Sequence, residues 1–202
     1  STSSGKSLAF MLEALYTILA NPGATVMAQY TTRALNADQL HKGQELVSLA
    51  GLPPETITSI DGTVPVAERA MRLRHAKIVA ATPDVDHTYF MGHLDIPEVR
   101  AFHANRRLLI LEETQLYSGG FGTHMLFKQR RSDIVQQYLN PQYKRETHGR
   151  IIATSATIAE PTAFMKRLTG QDFVEVGEEY NGASRYPRLV GISSMGKSRV
   201  VA

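Results

Sequence analysis

Two short stretches of the chain combine the residue types that phosphoryl transfer requires. The sequence opens Ser1-Thr2-Ser3-Ser4-Gly5-Lys6-Ser7 and passes directly into a segment with helical apolar spacing. The small residues Ser3, Ser4 and Gly5 let backbone N–H groups converge on phosphate oxygens, and a helix start adds partial positive charge. Lys6 reaches the outer phosphates and the Ser7 hydroxyl can ligate Mg²⁺. The first glycine of the pattern G-x-x-x-x-G-K-[ST] would fall one position before Ser1, so a Ser/Gly-rich terminus that holds Gly-Lys-Ser by chance is the competing reading. The second stretch is Glu112-Glu113, adjacent carboxylates at the end of the apolar run Leu108 to Leu111. A phosphate loop needs that complement: one carboxylate for Mg²⁺, the next to orient and deprotonate the attacking water. A solvated acidic turn is the alternative. Ser155-Ala156-Thr157 follows another apolar run and, taken alone, reads equally well as a helix cap.

The elements that must position these residues alternate along the chain. Helical spacing covers Leu8 to Leu19, strand-like runs cover Ala24 to Tyr30 and Thr56 to Ile60, and a second helical pattern runs through Ala34, Leu35, Leu40, Leu46 and Leu49. Pro65 to His75 reads as a charged helix, Lys77 to Thr82 as a strand stopped by Pro83, and Arg107 to Leu111 as a buried strand. Thr123 to Leu139 follows as a long helix, Ile151 to Thr154 as a strand, Pro161 to Leu168 as a helix and Phe173 to Val176 as a last strand. Apolar strands separated by helices describe a mostly parallel sheet covered on both faces, a three-layer α/β fold. Ligands in such folds sit beyond the C-terminal strand ends, so the loops Thr31-Thr32-Arg33, Asp61-Gly62-Thr63, Thr82-Pro83-Asp84, Glu112-Glu113-Thr114-Gln115 and Ser155-Ala156-Thr157 carry the chemistry.

Composition narrows the function classes. The 202 residues are 43% hydrophobic, which suits one core of ordinary domain size, and 20% charged, which excludes general disorder. A net charge of +3 announces neither a nucleic-acid-binding tail nor a polybasic anchor, and no apolar run reaches membrane-helix length. With no Cys there is no disulfide, no thiolate catalysis and no Cys-ligated zinc. His87, His93, His103 and His124 lack metal-ligand spacing, and His124 is expected to make a structural hydrogen bond. Locally, nine basic against four acidic residues lie between Arg100 and Arg150. That excess could draw a phosphate backbone, although Lys128 to Arg131 reads equally as a solvated helix face.

In order, STSSGKSL, TTRALNADQL, DGTVPVAER, ATPDVDH, LLILEETQLYSGGFGTHM and ATSATI resemble motifs I, Ia, the Ib region, II and III of superfamily 2 DExD/H-box helicases, over residues 1 to 176. Tyr117, Gly119, Phe121, Gly122 and His124 after the second motif resemble the DExH-type DNA-repair helicases most closely. The resemblance implies a RecA-like P-loop domain, the first motor domain of an ATP-dependent DNA helicase or translocase. It implies that Lys6 contacts the β- and γ-phosphates, Ser7 and Glu112 serve Mg²⁺, and Glu113 serves the hydrolytic water. Thr32, Arg33, Thr82, Pro83 and Asp84 would grip a single DNA strand, and Gln115, Ser155, Ala156 and Thr157 would couple hydrolysis to strand movement. The implied partners are a nucleic-acid strand, a second RecA-like domain in the parent chain and further complex subunits, with no membrane and a cytoplasmic setting. The expected organisation is a RecA-like domain over 1–177 that lacks its N-terminal strand, then a linker or the start of another domain over 178–202.

The second motif departs from the family pattern, reading Glu112-Glu113-Thr114-Gln115 where the family begins with Asp. The extra C–C bond moves the carboxylate by roughly 1.5 Å, large against the tolerance of a Mg²⁺ shell. Slow turnover is therefore expected. The competing class is a degenerate motor domain that holds nucleotide or DNA as a scaffold in a repair or phage-defence complex.

Overall fold

Strands whose side chains are apolar on both sides can only be stable between two layers of helices, and four of the strands here have that character. The computed structural model describes residues 6–142, 149–155, 158–175 and 198–201, with the side chains of residues 6, 33–36, 38 and 198–201 outside that description. The central strands are β1 (Thr25–Gln29), β3 (Ile78–Ala81), β4 (Arg106–Leu111) and β5 (Arg150–Thr154), flanked by β2 (Ile57–Ile60), β6 (Phe173–Glu175) and β7 (Ser198–Val201). β1 and β3 are buried at every position, as is β4 from Leu108 to Leu111. The seven described strands form one sheet in the order β2-β3-β1-β4-β5-β7-β6, and every pairing is parallel.

Chain direction along the sheet diverges between β1 and β4, whose final residues Gln29 and Leu111 are partners in register. A parallel sheet opens its ligand crevice where successive connections run to opposite sides. The ladder continues past the strand ends, with the Glu112 amide donating to the Gln29 carbonyl at 3.0 Å and the Tyr30 amide to the Ala81 carbonyl at 3.0 Å. The loops after β3, β1 and β4 therefore leave the sheet side by side.

Helices cover both faces. α1 (Lys6–Ala20) packs on β1 and β4, and α2 (Arg33–Leu49) packs on β2 and β3 and against α1. A second group comprises α3 (Val66–Leu73), α5 (Pro97–Ala104), α6 (Gly119–Leu139) and α7 (Pro161–Thr169), each packed on the next. A short helix α4 (Pro83–Val85) runs into a wide π-turn over Asp86–Phe90. Neither that turn nor α5 carries a sequence signal strong enough to have been expected: α5 is only eight residues long and mixes apolar with charged positions. The stretch 178–202, expected as a linker or a new domain, contributes β7, which pairs with both β5 and β6 of this same sheet.

Beneath α6 lies a polar cluster. Arg106 donates to the Ser132 hydroxyl at 2.7 Å and to the Gln136 side-chain oxygen at 3.3 Å, and Gln136 donates to the His103 and Arg106 carbonyls. Burial first, and the Arg106 charge second, push His103 down to about 4. The folded state thus refuses a proton that the unfolded chain accepts below pH 6.5, and stability falls as pH drops from 6.5 toward 4. The shift is equivalent to about 3 kcal/mol, fully expressed below both values. Chemical denaturation across that window should show a stability decline steeper by this amount than in His103→Gln; equal slopes would contradict the assignment.

Candidate functional site

The residues after β4 take an unusual path. Glu113 has φ 54° and ψ 47°, left-handed backbone that a residue with a Cβ adopts only when its surroundings impose it. The conformation turns the chain sharply into a short 3₁₀ segment, Thr114–Leu116. It leaves Glu112 buried while Glu113 is partly open to solvent. Thr114, fully buried, donates from its hydroxyl to the Thr154 carbonyl at 3.1 Å and so anchors the turn to the end of β5.

One string of hydrogen bonds crosses from this turn to the next strand tip. Gln115 donates from its side-chain nitrogen to the Glu113 carboxylate, and its side-chain oxygen accepts from the Ser155 hydroxyl at 2.9 Å. An amide is suited to this place because it donates at one end and accepts at the other. The sequence residues Glu113, Gln115 and Ser155 are thereby brought together. Ala156 and Thr157 lie outside the described residues, as do Ser3, Ser4 and Gly5.

Glu112 sits among phenols. Tyr30 and Tyr117 are fully buried and make no hydrogen bond through their hydroxyls among the described residues. Burial raises both phenols well above the usual range, and the Glu112 charge raises them further. No sequence pattern drew attention to either tyrosine as a neighbour of Glu112, because they approach it from two different loops. Ser7 lies in the first turn of α1, partly buried; Lys6 begins that helix. A serine hydroxyl and a carboxylate are hard oxygen donors, the kind that Mg²⁺ takes. Among the described residues no group of three or more His, Asp or Glu gathers as a metal cluster.

The other expected contact residues occupy the adjoining strand tips. Thr32 is exposed directly after β1, and Arg33 begins α2. Thr82 stands at the N-terminal cap position before Pro83 but makes no side-chain capping bond, so helix capping does not account for its hydroxyl. Pro83 is buried and rigidifies the turn, while Asp84 is exposed.

Two expectations are corrected. Lys128 is not on a solvated face: it is 1% exposed and ion-paired with Asp86, whereas Arg130 and Arg131 are exposed. Burial opposes the charged lysine and the Asp86 charge supports it. For Asp86 the Lys128 and Arg106 charges outweigh burial and hold the carboxyl below its ordinary range. His124 packs its ring edge-on against His87, centroids 4.6 Å apart, and the expected hydrogen bond is not formed among the described residues. His87 in turn meets Arg131 at 2.9 Å. Gly122 is where the helix closes on the loop before it: a Cβ there would lie 2.5 Å from the Tyr117 carbonyl oxygen, so only glycine lets the first turn of α6 seat.

The chain resembles known proteins along most of its length. The chain is 30% identical over 178 residues to the ATP-dependent helicase hrq1 of Schizosaccharomyces pombe, covering 87% of this chain and 16% of that protein. It is 31% identical over 193 residues to HRQ1 of Saccharomyces cerevisiae, covering 94% and 17%. Among solved structures, the DUF1998 helicase MrfA bound to DNA superposes with a TM-score of 0.73 at 25% identity, covering 87% of this chain and 26% of that one. The chain therefore spans about a sixth to a quarter of the length of these relatives. The DEAD/DEAH box helicase family model matches residues 1–164, running from Ser1 through the Glu112-Glu113 turn and the tip of β5 into α7, and it is to this family that the chain belongs.

Proposed function

We propose that this chain is the first RecA-like motor unit of an ATP-dependent DNA helicase or translocase, binding ATP-Mg²⁺ and one nucleic-acid strand beyond the C-terminal strand ends. The observation that carries the reading is the string Glu113–Gln115–Ser155, which ties the candidate hydrolytic carboxylate to the segment after β5. In this reading Ser3 to Ser7 cradle the phosphates and Lys6 holds the outer ones. Ser7 and Glu112 hold Mg²⁺, which when bound neutralises charge on the phosphates. Glu113 orients the attacking water and accepts its proton.

Thr32, Arg33 and Thr82 to Asp84 supply hydroxyls, backbone amides and a cation to the sugar-phosphate backbone, contacts that read no sequence. The DNA in the MrfA structure supports DNA as the strand. A second RecA-like domain in the full-length protein completes the nucleotide cleft with an arginine, since charge must be stabilised from both sides of the transferred group. Gln115, Ser155 and the neighbouring Ala156 and Thr157 transmit hydrolysis to strand movement, and the setting is cytoplasmic.

The longer arm of Glu112 favours slow turnover and, in the limit, a nucleotide-holding scaffold. The full-length protein should hydrolyse ATP in a Mg²⁺-dependent manner, faster with single-stranded DNA than without, and Lys6→Ala should abolish that hydrolysis. A rate indistinguishable from that of Lys6→Ala, with ATP still bound, would leave the scaffold reading standing instead. Running the assay with single-stranded RNA beside DNA tests the choice of strand.

A further inference from the structure

Three segments of the candidate site meet in one buried polar junction that the reaction itself does not use. Gln29 is the last residue of β1, separated by Tyr30 alone from the Thr31-Thr32-Arg33 loop. Asp86 opens the π-turn that follows Thr82-Pro83-Asp84. Lys128 lies on α6, the helix that begins directly after the Glu112-Glu113 turn. Asp86 is 1% exposed; one of its oxygens accepts from the Gln29 side chain at 2.6 Å and from the Lys128 ammonium. We infer that Asp86, Lys128 and Gln29 are positioning residues that lock the two strand-gripping loops to the helix behind the Glu112-Glu113 turn, so that an occupied strand groove is felt at the hydrolytic carboxylates. This rests on the motor reading above.

Stability does not explain the junction. Two charges removed from water recover little more than they lose, and an apolar pair of similar size serves a core equally well. What an ion pair adds is direction: its atoms are satisfied in one relative placement of the segments that carry them. The placement here is demanding, because the second Asp86 oxygen and the Gln29 side-chain oxygen have no hydrogen-bond partner among the described residues. A small displacement of either loop thus alters a cluster with little polar satisfaction to spare.

α6, which carries Lys128, is also held to the hydrolytic turn. Tyr117, buried at the end of the 3₁₀ segment that follows Glu113, packs its ring against Phe121 in the first turn of α6, centroids 5.4 Å apart. The Gly122 backbone closes to within Cβ distance of the Tyr117 carbonyl, leaving no slack between that turn and the start of α6. The π-turn contributes as well: its Met91-to-Asp86 bond skips one residue more than an α-helix would, which brings Asp86, Tyr89 and Phe90 all to the inside.

The test compares ATP hydrolysis by the full-length protein, its Asp86→Asn/Lys128→Met double variant and its Gln29→Met variant, each with and without a single-stranded DNA oligonucleotide. The double variant should keep its basal rate and its DNA affinity within about threefold of the parent, and lose about fivefold or more of the stimulation by DNA. Gln29→Met, which leaves the ion pair in place, should lose part of the stimulation, and it keeps the test decisive if the double variant does not fold. A purely structural junction would lower basal and stimulated rates together, or change neither ratio; undiminished stimulation in a folded double variant, or in Gln29→Met alone, overturns the inference. Absence of stimulation in the unsubstituted protein would be seen first and separately, and would remove the motor reading and this inference with it.

Discussion

Glu113→Gln is expected to lower the DNA-stimulated turnover of ATP by about 100-fold or more while leaving ATP affinity within a few-fold, the range for removing a positioned general base. The substitution keeps the size and planarity of the side chain, so its left-handed backbone and its contact with Gln115 can persist; what disappears is the capacity to accept a proton. Gln115 already presents its nitrogen to Glu113 and its oxygen to Ser155. The variant amide can therefore turn its own oxygen toward Gln115 without breaking the string to β5. Rapid-quench measurement of a single turnover separates the outcomes. A slow chemical step with normal nucleotide binding agrees with the base assignment. A chemical step slowed less than about threefold would move that role to another group and leave Glu113 as a link between the turn and Ser155.

The string from Glu113 to Ser155 illustrates what could be read from the sequence and what could not. The strand runs announce themselves because a parallel strand buried on both faces needs an unbroken apolar stretch, and Val26 to Ala28, Ile78 to Ala81 and Leu108 to Leu111 have it. From that alternation the strand tips follow, and with them the loops that share one edge. The partners of those loops do not follow, since hydrogen bonds between residues 40 positions apart depend on register and turn geometry that no local pattern encodes. The positive φ of Glu113 was equally hidden, because glycine usually marks such a place and here a carboxylate occupies it.

α6 misleads in the opposite sense. Its buried side includes Lys128, Gln129, Ser132, Asp133 and Gln136, whereas Phe127, Ile134 and Tyr138 are exposed. Hydrophobic periodicity assigns the wrong face to such a helix. The signal that was available is the i, i+4 spacing of the uncharged polar residues Ser132 and Gln136, which accept from Arg106, a buried strand residue that needs hydrogen-bond acceptors.

Lys128→Met carries the largest stability effect anticipated in this chain. It removes the ammonium but leaves the Asp86 carboxyl 1% exposed with the Gln29 amide as its remaining hydrogen-bond donor. Breaking one side of a buried pair costs about 3–5 kcal/mol, since the remaining charge keeps its full desolvation penalty. The sign of the pH response follows. In the unsubstituted protein the Lys128 and Arg106 charges hold Asp86 below its usual 3.8. That stabilisation is present above 3.8 and is lost as pH falls through the lowered folded value. With Lys128 gone, burial dominates and raises the folded value above the unfolded one. The variant then takes up a proton on folding, and its deficit shrinks as pH drops from 7 toward the unfolded value.

The Asp86→Asn/Lys128→Met double variant removes both charges, retains an oxygen for Gln29 to donate to, and should recover to within about 2 kcal/mol of the parent. Arg106 sets that residual, because it loses a nearby opposite charge while keeping its bonds to Ser132 and Gln136. Chemical denaturation of the three proteins between pH 5 and 8 decides the matter. A single variant less than about 1 kcal/mol below the parent, or a double variant as unstable as the single, would mean that the pair is solvated and that α6 does not depend on it.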